Sequence, residues 1–254
     1  MSLKVLSYNL WFDQKNSIER LESLLVTILT LSPDVLCFQE VTPNIFSILK
    51  SNLVEYKNIF PKNIDSSYDC LIMSKYEILK STQIPFENSI MGRKLLITVI
   101  NYSNEKVSKS TQITIVTSHF ESMFKEKINQ VKIDQFALTI AQLNKLYNKF
   151  KSVILCSDTN ILENEESFFF NSDIDWNDAW VKDGMKEDKK YTYDSNTNKN
   201  LYGRKIGGYQ SRIDRIIYRA DNLILKSFSL IKGTEGLIQP SDHHGVFSEF
   251  IVNI

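Results

Sequence analysis

Five short polar clusters punctuate this chain, each beginning where an apolar, strand-like run ends: Ser7-Tyr8-Asn9, Gln39-Glu40, Thr117-Ser118-His119, Ser157-Asp158-Thr159-Asn160 and Ser241-Asp242-His243. A run that is apolar along its length and polar at one end belongs to a buried strand that stops at a rim. Loops at such ends are where a rigid scaffold presents its chemistry. The fold must therefore bury many short strands and bring their polar ends to the surface.

At 254 residues the chain can bury a sizeable core. Apolar residues are 43% and charged residues 24%, as in an ordinary globular protein. Basic and acidic residues balance at 30 each, so no global field draws in nucleic acid or a membrane, and any grip on a polyanion must be local. Lysines gather around Lys125-Glu126-Lys127, Lys145 to Lys151 and Lys186 to Lys190, where solvated surface is the plain reading. The cysteines Cys37, Cys70 and Cys156 are unclustered, and Cys37 and Cys156 sit inside apolar runs. This suits buried free thiols in a reducing compartment. No signal-peptide core opens the chain, and no apolar stretch approaches the ~20 residues that cross a bilayer. The expectation is an intracellular soluble protein with no membrane partner, nuclear and cytoplasmic locations being undistinguished.

Lys4 to Leu10 reads as a first strand. Asn16 and Glu19 form a capping box for a helix carrying Ile18, Leu21, Leu25, Ile28 and Leu29, which Ser32-Pro33 stops. Val35 to Phe38 reads as a strand buried on both faces, and Thr42-Pro43 opens a second helix running to Leu53. The middle third predicts antiparallel sheet over Tyr68–Ser74, Ile78–Pro85, Lys94–Tyr102 and Gln112–Ser118, with a turn at Asn101 to Asn104. Ile133, Phe136, Ile140, Leu143 and Tyr147 mark one stripe of a long helix over Lys125 to Phe150. Ser152–Cys156 is strand, Glu163 to Gly208 a functional loop region, and Arg212–Tyr218, Ile224–Ile231 and Val246–Ile251 close the sheets. No internal sequence repeat is visible. The expected organisation is one domain over residues 1–254, with two mostly β layers packed together and helices outside.

Magnesium takes oxygen ligands and keeps only one or two protein carboxylates, a demand that Glu40 and Asp242 fit. Asp158 and Asn160, two apart at a strand end, suit a pair in which one member takes a proton from water and the other hydrogen-bonds a phosphate oxygen. Alone, the same spacing reads as an Asx turn. Asn9 offers an amide to a phosphate or to a metal shell. The three histidines, His119, His243 and His244, all lie in or beside the clusters. A protonated histidine steadies a phosphodiester's charge, and a neighbouring carboxylate promotes that state. Asp214 is the candidate partner of His243, unless it pairs with Arg212 or Arg215 instead.

Taken in order, these residues resemble the motifs of the endonuclease/exonuclease/phosphatase superfamily, and within it the 5′-tyrosyl-DNA phosphodiesterase branch. Ser7-Tyr8-Asn9 resembles its Thr-Trp-Asn. Phe38 to Pro43 resembles its Gln-Glu-Val segment, and Thr117 to Ser122 its Thr-Ser-His-Leu-Glu-Ser. Ser157 to Asn160 resembles Gly-Asp-Thr-Asn, Arg212 to Ile216 Phe-Asp-Arg-Ile, and Ser241 to His243 Ser-Asp-His. Met91-Gly92-Arg93 and Tyr191-Thr192-Tyr193-Asp194 support the branch.

The resemblance implies an α/β (α+β) fold: a four-layer α/β/β/α sandwich of two mostly antiparallel sheets flanked by helices. It implies Mg²⁺, with Mn²⁺ as a substitute, on Glu40 and Asp242. Asp158 and Asn160 would handle the nucleophilic water, Asn9, His119 and His243 the phosphate, and Asp214 would orient His243. Ser122, Arg93 and Tyr193 would bind substrate. The implied activity is hydrolysis of the 5′-phosphotyrosyl bond between a topoisomerase-derived tyrosine and DNA, leaving a 5′-phosphate for repair. The implied partner is single-stranded or 5′-end DNA carrying a tyrosyl or peptide adduct, or RNA, taken by a monomer. Four positions depart from the pattern. Phe124 and Leu162 replace basic residues that help hold DNA, and Tyr193 and His244 stand where Trp is usual. The open alternatives are an abasic-site nuclease, a sphingomyelinase-like enzyme or an inositol-phosphate phosphatase on the same fold, and a catalytically dead interaction module.

Overall fold

Side chains alternate faces along a strand, and in β1 (Ser2–Asn9) that alternation sorts the residues into two cores. Leu3 and Val5 face one way, Leu6 and Tyr8 the other, and all are buried. In this computed structural model, which describes residues 2–104, 109–122, 130–170, 175–202 and 207–253, the same two-sided burial recurs through the central strands.

After β1 come α1 (Ser17–Leu31), β2 (Val35–Val41), α2 (Pro43–Asn52), β3 (Asn58–Phe60) and β4 (Asp69–Ser74). β5 (Ile78–Pro85), β6 (Lys94–Asn104), β7 (Lys109–His119), α3 (Gln130–Phe150) and β8 (Ser152–Asp158) follow. The last third holds α4 (Glu166–Phe169), β9 (Asn177–Asp178), α5 (Ala179–Lys182), β10 (Tyr193–Asp194) and β11 (Gln210–Ser211). It closes with β12 (Asp214–Ala220), β13 (Leu223–Ile231) and β14 (Gly245–Val252).

One six-stranded sheet has the order β13-β14-β1-β2-β4-β3 and the other β5-β6-β7-β8-β12-β9. Each is antiparallel except at one pair, β1–β2 in the first and β7–β8 in the second. Each parallel pair is bridged by a helix, α1 or α3, and ends level, with Asn9 beside Gln39 and His119 beside Asp158. The two sheets thus repeat a strand–helix–strand unit that no sequence repeat announces. Leu6, Tyr8, Leu36 and Phe38 pack under α1 and α2, while Val116, Val153, Leu155 and Ile217 pack under α3. Between the sheets lie Leu3, Val5, Val35, Cys37, Ile113, Ile115, Ile154, Cys156, Ile216 and Phe250. The four layers expected from the sequence are present.

Some local expectations are corrected. Asn16 does stand before α1, but in left-handed backbone (φ 50°) with no side-chain cap, so the capping box does not form. The backbone there is set instead by buried Arg20, whose Nη2 donates to the carbonyls of Trp11 and Asp13. On α1 the buried stripe is Leu21, Leu24 and Ile28, with Ile18 and Leu29 exposed. Thr42 caps α2 as its Oγ1 accepts the Ile45 N–H. β6 continues through Asn101 to Asn104, where a turn was expected. Strand β3 had no counterpart in the sequence reading. The expected start of the long helix, with Lys125 and Lys127, and Phe124 lie outside the described residues. All three cysteines are free and buried. No helix among the described residues is long and apolar enough to cross a membrane.

Candidate active site

The inter-sheet faces of the central strands change character at one end. Along β1 the residues read Leu3, Val5, Ser7, Asn9; along β2, Val35, Cys37, Gln39; along β7, Ile113, Ile115, Thr117, His119. Along β8 they read Ile154, Cys156, Asp158, and along the antiparallel β12, Tyr218, Ile216, Asp214. Parallel register aligns His119 with Asp158, and antiparallel register sets Asp214 opposite Asp158. Beneath these groups Gln39 Nε2 donates to Thr117 Oγ1 at 2.9 Å and to Ser7 Oγ at 3.3 Å. Thr117 in turn donates to the Cys156 carbonyl at 2.7 Å. This polar floor ties the two sheets together directly under the site.

Asp158 is the hub. Its Oδ2 accepts Asn9 Nδ2 at 2.9 Å and lies 3.2 Å from His119 Nε2 and 4.0 Å from His243 Nε2. Its Oδ1 accepts the Asn160 N–H at 3.1 Å. The Asx turn that the Asp158–Asn160 spacing offers is therefore built on Oδ1, while the Asn160 side-chain amide donates to the Phe120 carbonyl. Burial alone would raise this carboxyl, but the pull of His119 and His243 and the hydrogen bonds from His119 and Asn9 outweigh it and hold it well below the usual range. Asp158 is thus ionised throughout the neutral range.

Asp214 pairs with His243, its Oδ2 lying 2.9 Å from Nδ1. Arg212 and Arg215 turn away to Asp178 and Glu166. Burial works against a charged His243 ring, yet Asp214, with Asp158 and Asp242 nearby, raises the imidazole well above its ordinary value. Burial raises the Asp214 carboxyl as well, with the charge of His243 opposing that rise. Thr192 Oγ1 accepts the Asp214 N–H at 3.0 Å and its carbonyl accepts the His244 N–H at 2.6 Å, so the 191–194 segment clamps both partners. His244 points away, its Nε2 lying 3.1 Å from Thr197 Oγ1, and burial pushes it down to about 4, neutral at pH 7. Gly245 follows, where a Cβ would come within 2.5 Å of the Tyr8 ring; only glycine lets this loop lie so close to β1.

Glu40 sits at a bulge of β2 in left-handed backbone (φ 57°), which takes its side chain out of strand alternation. Its Oε1 accepts Asn9 Nδ2 at 3.2 Å and its Oε2 the Phe12 N–H at 3.1 Å. Asp242 is buried beside Ser241, and the charge of buried Arg20 lies in the field of both Asp242 and Glu40. Asn9 turns its amide NH₂ to Glu40 while its Oδ1 accepts the Trp11 N–H at 3.0 Å, and among the described residues it is Asp158, Asp214 and His243 whose ligand atoms lie within 4.8 Å of one another, a set that could hold a metal ion.

Glu40, His119, Ser122, Asp158, Asn160, Leu162, Tyr193, Tyr209, Ile213 and His243 line a cavity of about 440 Å³. Tyr193 packs edge-on against both His243 and Tyr209. Asn160 is turned by a left-handed backbone (φ 48°), and its amide donates to the Phe120 carbonyl at 3.0 Å. Arg93 reaches the site through His119, to whose Nδ1 its Nη1 donates at 2.7 Å, with its guanidinium 5.3 Å from the Tyr68 ring. A guanidinium has no acceptor, so Nδ1 accepts and the His119 proton sits on Nε2, facing Asp158. A larger hollow of about 730 Å³ beside Glu166, Asp178 and Arg212 holds charges already paired with one another. Sequence reasoning missed Thr192, Tyr209, Arg20 and Lys132; of these only Thr192 lay in a motif already singled out.

This fold and rim define a class: the chain belongs to the endonuclease/exonuclease/phosphatase family, whose sequence model matches residues 6–243. More particularly, it is 29% identical over 253 residues to tyrosyl-DNA phosphodiesterase 2 of Xenopus tropicalis, covering 94% of this chain and 63% of that one. It is 31% identical over 244 residues to tyrosyl-DNA phosphodiesterase 2 of Rattus norvegicus, covering 92% and 62%. The chain thus spans less than two thirds of these relatives' length. Among solved structures, D. rerio TDP2 complexed with single strand DNA product superposes with a TM-score of 0.84 at 26% identity, covering 98% of each chain. Bacteroides thetaiotaomicron mannosyl-6-phosphatase, at 0.75 and 15%, shares the fold.

Proposed function

We propose that this chain is a Mg²⁺-dependent phosphodiesterase that hydrolyses the 5′-phosphotyrosyl bond between a topoisomerase-derived tyrosine or peptide and DNA, leaving a 5′-phosphate. One observation carries the reading. Asp158 gathers Asn9, His119 and His243 at a cavity that Tyr193, Tyr209, Ile213 and Leu162 also line. Such a cavity suits one phosphorus and an aromatic ring attached to it. The relatives named tyrosyl-DNA phosphodiesterase 2, and the D. rerio structure with its single-stranded DNA product, support the choice of substrate.

In this reading Asp158, ionised, takes the proton of the attacking water, and Asn160 fixes the turn that aims it. Asn9, His119 and the His243 imidazolium hold the charge that grows on the phosphate, and Asp214 keeps His243 charged and oriented. Glu40 and Asp242 would hold Mg²⁺, or Mn²⁺ in its place, which when bound supplies a Lewis acid to the phosphate oxygens. A phenol leaves readily because its pKa of ~10 lies far below that of an alkyl alcohol. Ser122 and Tyr193 contact the nucleotide side. The substrate is a 5′-adducted single strand of DNA or RNA, and the working unit is an intracellular monomer, a single catalytic domain.

Purified protein offered 5′-phosphotyrosyl DNA, 3′-phosphotyrosyl DNA, abasic duplex and sphingomyelin, with and without Mg²⁺ or Mn²⁺, tests the proposal. Metal-dependent release of tyrosine from the first substrate alone is expected. Faster cleavage of the abasic duplex or the lipid overturns it.

A further inference from the structure

Glu121 is fully buried, and nothing in the chemistry above uses it. Its Oε2 accepts Ser89 Oγ at 2.8 Å and Gln135 Nε2 at 3.0 Å. Its Oε1 accepts the N–H groups of Ile90 at 3.1 Å and Met91 at 2.9 Å. Its own N–H donates to Gln135 Oε1 at 2.9 Å. One carboxylate thus joins the end of β7, the buried face of α3 and the loop before β6. At its base Phe86 exchanges backbone bonds with Arg93 and Ser89, and Asn88 donates to Asp134 at 2.9 Å, but Ile90 and Met91 at its tip are exposed. It turns at Gly92 in left-handed backbone (φ +69°) and delivers Arg93, whose N–H donates to Ser89 Oγ at 2.8 Å. Ser89 Oγ therefore accepts the Arg93 N–H and donates its own O–H to Glu121. From there Arg93 fixes Nδ1 of His119.

We propose that Glu121 is a positioning residue for the phosphodiester chemistry, a clamp that holds the 89–91 turn so that Arg93 meets His119 and keeps its proton on Nε2. The proposal rests on the hydrolytic reading above for its kinetic arm but not for its spectroscopic one. A carboxylate taking four donors from two directions does what no neutral side chain can. Glutamine would set its own NH₂ against one of those donors.

The test uses the full chain with Mg²⁺ and a 5′-phosphotyrosyl oligonucleotide. Glu121→Gln should lower kcat roughly 10- to 100-fold with KM changed less than about threefold, because misplacing a catalytic group remotely costs on that order. Arg93→Met should cost at least as much, and the double variant no more than Arg93→Met alone, since both act through one contact. Multiplying losses, or an unchanged kcat in Glu121→Gln, would overturn the clamp. Should Glu121→Gln fail to fold, Ser89→Ala removes one arm at a half-buried loop and should show the same split at smaller size; a normal kcat there counts against the idea. With only three histidines in the chain, the ¹⁵N shifts of His119 read the tautomer without any turnover. A single Nε2–H form in the parent and a mixture in Ser89→Ala are expected. Identical spectra would overturn the proposal even if the parent proved to hydrolyse another ester.

Discussion

Lys132 offers the sharpest test of how the rim is held in place. It lies on the buried face of α3 one turn before Phe136, and its Nζ donates to Glu165 Oε2 at 2.6 Å and to the Asn160 carbonyl at 3.0 Å. Both side chains are almost wholly buried, 4% and 5% exposed. The same Glu165 oxygen accepts the Leu162 N–H at 2.9 Å. The pair therefore staples the Asn160–Leu162 turn to the helix from behind. Lys132→Met keeps the length of the side chain but strands a buried carboxylate, which costs about 3–5 kcal/mol. Adding Glu165→Gln removes the stranded charge and keeps an acceptor for Leu162. Only the Asn160 carbonyl is then bereft, at roughly 1–3 kcal/mol. The double variant should thus recover about 2 kcal/mol of the single variant's loss. Urea unfolding at equilibrium measures both, read as shifts in midpoint at constant slope. A domain in the upper part of the ~5–15 kcal/mol range survives either change, and there kcat can be read as well and should fall in Lys132→Met as the turn loosens. A double variant as unstable as Lys132→Met, or a single loss below about 1 kcal/mol, would refute the view that this pair is a dry, coupled one.

Asp158→Asn should cut turnover of the phosphotyrosyl oligonucleotide by roughly 10²–10⁴-fold without loss of fold, because a proton acceptor is removed at constant size; a near-normal rate would unseat Asp158 as the base. Glu40→Ala should raise the Mg²⁺ concentration needed for half-maximal thermal stabilisation and for activity alike, and unchanged metal dependence in both would show that Glu40 is not a ligand. For Asp178, burial alone would raise the carboxyl, but Arg212 at 2.6 Å and Arg215 at 3.3 Å outweigh it and hold it below the usual range. Its contribution to stability is therefore present above the unfolded value near pH ~4 and lost as pH falls through the lower folded value. Asp178→Asn should start less stable and show a flatter acid limb below about pH 4; parallel limbs in acid unfolding curves would contradict the assigned pairing.

Much of this architecture is written in the sequence because burial on both faces of a strand leaves a mark. Val35 to Phe38 and Ile154 to Cys156 have no polar residue to spare, and the carboxylates just past each run, Glu40 and Asp158, are the ones at the rim. Long-range pairing is what stays hidden. Nothing near Glu121 foretells Gln135, and Lys132 on a helix looks like solvated surface until Glu165 is brought to it. Arg20 carries no motif, yet it fixes the loop between β1 and α1 and cancels the cap that Asn16 and Glu19 advertise. β3 is too short to signal itself, and it exists because β4 offers it an edge. Ile18 and Leu29 fit a helical period but fall on the wrong side, since periodicity fixes spacing and leaves the face to be chosen by packing.

The two kinds of information bear on function differently. Asn9, His119, Asp158 and Asp214 are placed by strand register, and a register slip would turn each to the opposite face. Their arrangement is therefore as rigid as the sheets themselves. Leu162, Tyr193, Tyr209 and Ile213 line the same cavity from loops and from the two-stranded ribbon β10–β11. Tyr193 also packs edge-on against His243, so a change there reaches both the lining of the cavity and the imidazole. Aromatic Tyr193 and Tyr209 make a surface on which a base or a phenol can stack, worth ~1–3 kcal/mol per base where such stacking has been tested by truncation. An alkyl phosphate or a sugar phosphate gains little from that surface. Under the proposed activity, the ring pair beside His243, rather than the carboxylates and histidines, would separate a phosphotyrosyl nucleotide from other phosphate esters.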